Sequence, residues 1–177
     1  NGQFKTPSGT IEIISKKLTD AGLPSLKEYQ SPIKPPKGMF RLVYGRSAVH
    51  THGHTINNPL LSELMPENTL WINTKAANKL GINHGDLVDV LSEDSSYAGT
   101  VHANVTEFIH PESVYTVHGF GRQIPLQTRA YHAGMSDQKL MIGKLDDWDQ
   151  AGGAINLCEA FVVVRRSVRN PKRRVEL

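Results

Sequence analysis

The sequence predicts a mainly β fold, a barrel or sandwich carrying short helices. Three observations carry this. About six short runs are rich in β-branched and aromatic residues, turn residues separate them, and the helical patterns between them are too short to cover a sheet. With 177 residues, 38% apolar and 21% charged, the chain suits one compact domain with a sizeable core.

Residues 1–37 stand apart and read as a linker or arm from a preceding domain. A short strand pattern at Thr10–Ile14 leads to a helical stretch closed near Gly22, and four of the ten prolines follow in "LPSLKEYQSPIKPPKG". The domain proper is read as residues 38–166, and 167–177 as a basic tail. "FRLVYG" is the first strand and ends at Gly45. Asn58 caps a helix that opens with Pro59, leaving N–H groups for an acceptor. "NTLWINT" is a strand that runs into "KAANKLG", one or two helical turns closed by Gly81. Such a short helix cannot roof a βαβ unit, so it is placed across one end of a barrel. "DLVDVLSED" and "YAGTVHANVTEFI" form a hairpin around Glu93–Ser96, and "SVYTVHG" and "AFVVVRRS" supply two more strands.

Charge is unevenly spread. The last 13 residues hold six of the 20 Lys/Arg (Arg165, Arg166, Arg169, Lys172, Arg173, Arg174) against one acid, Glu176, which leaves the body slightly acidic. The tail suits a solvated chain end or a contact with another part of a larger protein, with nucleic acid or anionic lipid as the rival. Cys158 stands alone, so no internal disulfide or multi-cysteine metal cluster can form, and its apolar surroundings mark a structural thiol. No window approaches 18 consecutive apolar residues, so no spanning helix is expected. The chain begins at Asn1 without an initiator Met, which reads as a processed or excised piece.

The chemistry concentrates in two stretches. In "GRSAVHTHGHTINNP", His50, His52 and His54 alternate, and on a strand they would share a face and could ligate zinc or copper. Gly53 and Asn-Asn-Pro argue for a loop instead, and no carboxylate lies among the histidines. A polar grip on a ligand fits better. Gly45 permits close approach, Arg46 offers a planar fork to phosphate, and Ser47, Thr51, Thr55 and Asn57 donate and accept hydrogen bonds. The second stretch, "HGFGRQIPLQTRAYHAGMSDQKL", is a long loop carrying His118, Arg122, Gln123, Ser136, Asp137 and Gln138. No Gly-x-Ser-x-Gly elbow, Walker loop or Gly-x-Gly-x-x-Gly fingerprint occurs. The residues alone describe a β domain that grips a polar ligand. The rivals are a free-standing His-rich metal-binding barrel and a barrel that binds a partner or nucleic acid through its tail.

"TPSGTIEI", "YGRSAVHTHGHTINNPLLSELMPENTLWINTKAANKLGINHGDLVDVLS" and "VYTVHGFG" resemble the C-terminal domain of molybdopterin-dependent oxidoreductases of the dimethyl sulfoxide reductase family. Within it they look most like catalytic subunits of thiosulfate and polysulfide reductases. The resemblance implies a six-stranded double-psi β-barrel that closes over a molybdenum or tungsten cofactor of molybdopterin guanine dinucleotide. Carried over by motif, Gly45, Arg46, Ser47, His50, Thr51, His52, Thr55 and Asn57 bind the cofactor. Gln138 falls where relatives often have a cofactor-binding Asn, and His118 and Arg122 are placed near the substrate funnel. At Cys158–Glu159, where many relatives carry Asn or Lys, the sequence departs. The resemblance further implies a 4Fe-4S cluster and the metal's own protein ligand in preceding domains, which makes this chain inactive alone. It also implies an iron–sulfur electron-transfer subunit, a membrane anchor subunit and a periplasmic location. No nucleic-acid partner and no direct membrane span are expected.

Overall fold

The structure, a computed structural model, describes residues 2, 4–26, 29, 31–141, 149, 152–154 and 160–168. Six strands are built where the β-rich runs predict them: β1 Phe40–Gly45, β2 Leu70–Asn73, β3 Leu87–Ser92, β4 Ala98–Thr106, β5 Ser113–Val117 and β6 Phe161–Arg166. They close into a barrel in the order β1-β5-β2-β4-β3-β6, the double-psi arrangement, with β6 returning to β1. Two neighbouring pairs are parallel, β1 with β5 and β2 with β4, and the rest are antiparallel.

Alternation explains the closure. Leu42, Ile72, Val88, Val90, Val101, Val114, Val162 and Val164 point inward and are buried together. The outward Asp89 of β3 stands opposite Thr100 and Arg165 in the ladder and is covered by them: Thr100 Oγ1 donates to it at 2.8 Å, and Arg165 Nε lies 3.6 Å away. Arg165, read from sequence as part of a basic end, is thus a cross-strand partner.

The short helices follow local signals. Helix α2 (Pro59–Leu64) carries proline in its first turn behind Asn58. Helix α3 (Thr74–Leu80) starts at Asn73, whose side chain accepts from Lys75 N, and stops at Gly81, which takes the left-handed conformation at φ 65°. It joins β2 to β3 and packs on β2 and β4, since β4 separates the two strands it connects. Helices α1 (Lys16–Asp20) and α4 (Asp137–Leu140) are a turn or so each.

One expectation fails. Thr10–Ile14 is not a strand: no strand pairs with it, and Ile11, Ile13 and Ile14 are all more than 60% exposed. Alternation predicts a strand only where a sheet edge offers hydrogen bonds, and the closed barrel offers none. Cys158 and the tail cations Arg169, Lys172, Arg173 and Arg174 lie outside the described residues.

Candidate functional site

Parallel pairing builds the site. Strands β1 and β5 run side by side, with Gly45 opposite Val117 at their ends, so the two polar loops leave the same end of the barrel as neighbours. The His118 N–H donates to the Gly45 carbonyl at 2.9 Å and stitches their bases together.

Each loop is then tied down. A second apolar cluster of Ile56, Val117, Phe120 and Ala130 lies beneath both loops. Asn57 Oδ1 accepts from the N–H groups of Arg129 (3.0 Å) and Ala130 (3.2 Å) and so couples the loops directly. His50 is buried; its Nε2 meets the Met65 carbonyl at 2.9 Å, its Nδ1 meets Thr55 Oγ1 at 3.3 Å, and its ring stands edge-on to Phe120. Asn68, fully buried before β2, donates to the carbonyls of Val117 (2.8 Å) and Met135 (3.0 Å) and accepts from Met135 N (2.9 Å).

Between the tied loops lies a cleft of about 420 Å³, lined among others by His52, His54, His118, Arg122, Gln123, Asp137, Gln138 and Lys139. Glycines let its walls meet. A Cβ on Gly119 (φ 102°) would sit 2.7 Å from Gly53 N, and one on Gly53 would overlap the Arg122 guanidinium. The Arg122 guanidinium thus occupies the space a Gly53 side chain would need, and no carboxylate among the described residues pairs with it. Lys139 Nζ donates to Gln123 Oε1 at 3.1 Å and stands 5.6 Å from the centre of the Tyr97 ring. Asp137, 1% exposed, accepts from His118 Nδ1 at 2.6 Å and from Gly119 N at 3.4 Å. His52 holds a left-handed backbone (φ 47°) in the 3-10 turn His52–His54, with its ring edge-on to His118 at 5.3 Å.

Of the sequence-predicted residues, His52, His118, Arg122 and Gln138 line the cleft. Ser47, His50, Thr55 and Asn57 bond within and between the loops through their side chains, and Arg46 and Thr51 do so through their backbone. Ser47 Oγ accepts from Val49 N at 2.9 Å, and Thr55 Oγ1 accepts from the Thr51 N–H at 2.8 Å. Gly45 makes room for the Tyr115 ring, whose hydroxyl donates to the Arg46 carbonyl at 3.3 Å; burial raises that phenol above its ordinary pKa. The N–H groups expected to stay open at the start of α2 are those of Leu60 and Leu61, and Asn58 Oδ1 takes both. The three-histidine metal geometry does not form: both nitrogens of His50 are engaged, and no group of three ligating side chains converges among the described residues. Asn68, Lys139 and the Asp137–His118 pairing escape sequence reading. "MSDQKL" marks a polar turn without saying which side chain turns inward.

Residues 40–155 match the family described as the Molydopterin (molybdopterin) dinucleotide binding domain. The chain belongs to that family. This molybdopterin dinucleotide-binding domain is 33% identical over 137 residues to the thiosulfate reductase molybdopterin-containing subunit PhsA of Salmonella typhimurium, covering 75% of this chain and 17% of that protein. It is 34% identical over 84 residues to the probable oxidoreductase YoaE of Bacillus subtilis, covering 48% of this chain and 12% of the other. The chain thus spans less than a fifth of either relative. Acetylene hydratase from Pelobacter acetylenicus shares the fold, with a TM-score of 0.76 at 17% identity over 94% of this chain and 25% of that one. The molybdopterin cofactor class follows from the family match. Among the described residues no helix is long and apolar enough to cross a membrane.

Proposed function

We propose that this domain grips the pterin and phosphate portions of a molybdopterin guanine dinucleotide within a larger oxidoreductase subunit that reduces an inorganic sulfur compound, such as thiosulfate or polysulfide. The observation that supports it is the cleft's donor set. His52, His54, Arg122, Gln138 and Lys139 line one cleft, while its buried carboxylate, Asp137, is already engaged by His118. Such a surface suits an anionic, heteroatom-rich ligand. Glycine contacts at Gly53 and Gly119 set its width and Arg122 its anion-facing wall.

When bound, that cofactor supplies two-electron redox chemistry. This chain's residues bind, orient and shield it: Arg122 and Lys139 toward phosphate, His52, His118 and Gln138 toward polar ring atoms. Ser47, His50, Thr55 and Asn57 hold the first loop in place for that grip, and Arg46 offers its guanidinium fork to phosphate. The chain is inactive alone in this reading. The remaining domains, among them one with a 4Fe-4S cluster, precede residues 1–37, and an iron–sulfur subunit and a membrane anchor complete a periplasmic enzyme. The likeness to a thiosulfate reductase subunit supports the sulfur substrate.

The test compares the full-length subunit with an Arg122→Ala/Lys139→Ala variant. Guanine nucleotide released by acid, metal content and viologen-coupled reduction of thiosulfate, polysulfide, tetrathionate and arsenate are measured. The expected result is lost nucleotide and metal in a folded variant. Unchanged nucleotide content sinks the assignment. Stoichiometric zinc on the 177-residue chain, lost on replacing His52 and His54, would replace it with the metal-binding reading.

A further inference from the structure

We infer that Asp137 is a positioning residue that fixes the tautomer of His118 and thereby decides which kind of ligand atom the cleft accepts there. The ligand part of this inference rests on the cofactor reading above. The pairing itself rests on geometry alone.

An ionised carboxylate can only accept hydrogen bonds. Asp137 is 1% exposed, and its Oδ2 lies 2.6 Å from His118 Nδ1, so that nitrogen carries the proton. Its Oδ1 takes the Gly119 N–H at 3.4 Å, which fixes the carboxylate plane. The neutral imidazole is then forced to present Nε2 as an acceptor. Nε2 makes no hydrogen bond among the described residues, and His118 lines the cleft with its side chain 23% exposed. The rings nearest to it are those of Tyr44 and His52, at 5.8 and 5.3 Å between centres.

Charge points the same way. A neutral imidazole on a carboxylate has net charge −1, and a protonated one has net charge zero. Neither attracts an anion, whereas Arg122 and Lys139 on the same cleft do. The cleft is therefore divided: the His118 end takes a neutral donor, such as a ring N–H of a nitrogen heterocycle, and the Arg122 end takes the anionic group.

Asp137→Asn reverses this logic at nearly constant shape. Only one arrangement of the amide satisfies both neighbours: its oxygen on the Gly119 N–H and its NH2 on His118 Nδ1. His118 Nδ1 must then accept, and Nε2 becomes the donor.

The experiment is long-range proton–nitrogen NMR of the histidine-labelled 177-residue chain at a pH of about 8.5, where an ordinary imidazole is neutral. Spectra are recorded alone, with a tetrahydropterin, and with GMP. The parent should show His118 protonated on Nδ1, the Asn variant on Nε2. The tetrahydropterin should perturb Nε2 in the parent and bind about tenfold more weakly to the variant, the size of one hydrogen bond turned unfavourable. GMP affinity should not change. A parent protonated on Nε2 overturns the inference without any variant, and so does an Asn variant that keeps the parent's tautomer. Reversal with unaltered pterin affinity overturns the acceptor role. If the tautomers reverse but neither chain binds pterin or GMP, the cofactor reading has failed and the positioning role of Asp137 stands.

Discussion

Asn68 carries more of the site than any residue that touches the cleft, so replacing it is the most informative perturbation. Its amide makes three hydrogen bonds at zero exposure, two given at 2.8 and 3.0 Å and one received at 2.9 Å. Asn68→Ala removes all three and strands the Met135 N–H away from water. Two lost hydrogen bonds at about 1 kcal/mol each, plus about 1–3 kcal/mol for the stranded donor, give about 3–5 kcal/mol. For a chain of this length that lowers the melting temperature by roughly 6–20 °C. Asn68→Asp keeps the shape but turns an oxygen toward two carbonyls, so it should be at least as harmful at neutral pH. Urea unfolding followed by circular dichroism measures both. Because Val117 and Met135 immediately precede His118 and Ser136, the His118–Asp137 pair should loosen as well, visible as loss of its downfield Nδ1 proton signal. A cost below about 1 kcal/mol for Asn68→Ala, or an Asp variant as stable as the parent, would refute the reasoning.

Three further outcomes are expected. Gly53→Ala should displace the Arg122 guanidinium that lies over it, lowering nucleotide retention in the full-length subunit about as much as Arg122→Ala while leaving the fold intact by circular dichroism. His52 holds φ 47°, which costs an L-residue about 1 kcal/mol, so His52→Gly should unfold no more easily than the parent yet retain less cofactor; a loss above about 1 kcal/mol would contradict this. In the β3–β4 turn, the hydroxyls of Ser92 and Ser96 and the Ser96 N–H lower the Asp94 pKa to about 2. Its contribution to stability is present above the ordinary carboxyl value of 3.8 and is lost as pH falls through about 2, so a carboxyl carbon titration should place its midpoint near there and Ser92→Ala should raise it.

What the sequence makes legible is what neighbouring residues decide. Asn58-Pro59 announces the start of one short helix and Gly81 the end of the other, and the alternation of Leu87–Ser92 and Ala98–Thr106 announces the hairpin. Thr10–Ile14 misleads because alternation is necessary for a strand and not sufficient. The site is half legible for a related reason. Composition identifies both loops, but which side chains face the cleft depends on the β1–β5 pairing, and nothing local records that. Hence the loop-tying bonds of Thr55 and Asn57 go unread, and Lys139, which looks like a surface cation, lines the cleft.

The division between ties and lining has a thermodynamic consequence. A loop of more than a dozen residues that ordered only on binding would draw its conformational entropy from the binding free energy. Here Asn57, His50 and Asn68 join the loops to each other and to the barrel through backbone groups, so the ordering cost is met on folding. Substituting a tie must therefore lower stability and affinity together, because it returns that cost to the binding step. Substituting a lining residue such as Gln138, which is exposed and supports nothing beneath it, must lower affinity with stability unchanged. Measured side by side, Asn57→Ala and Gln138→Ala should separate along those two axes. If Asn57→Ala weakened cofactor retention without lowering the melting temperature, Asn57 would be a ligand contact after all, and the cleft would have to extend across the first loop to reach it.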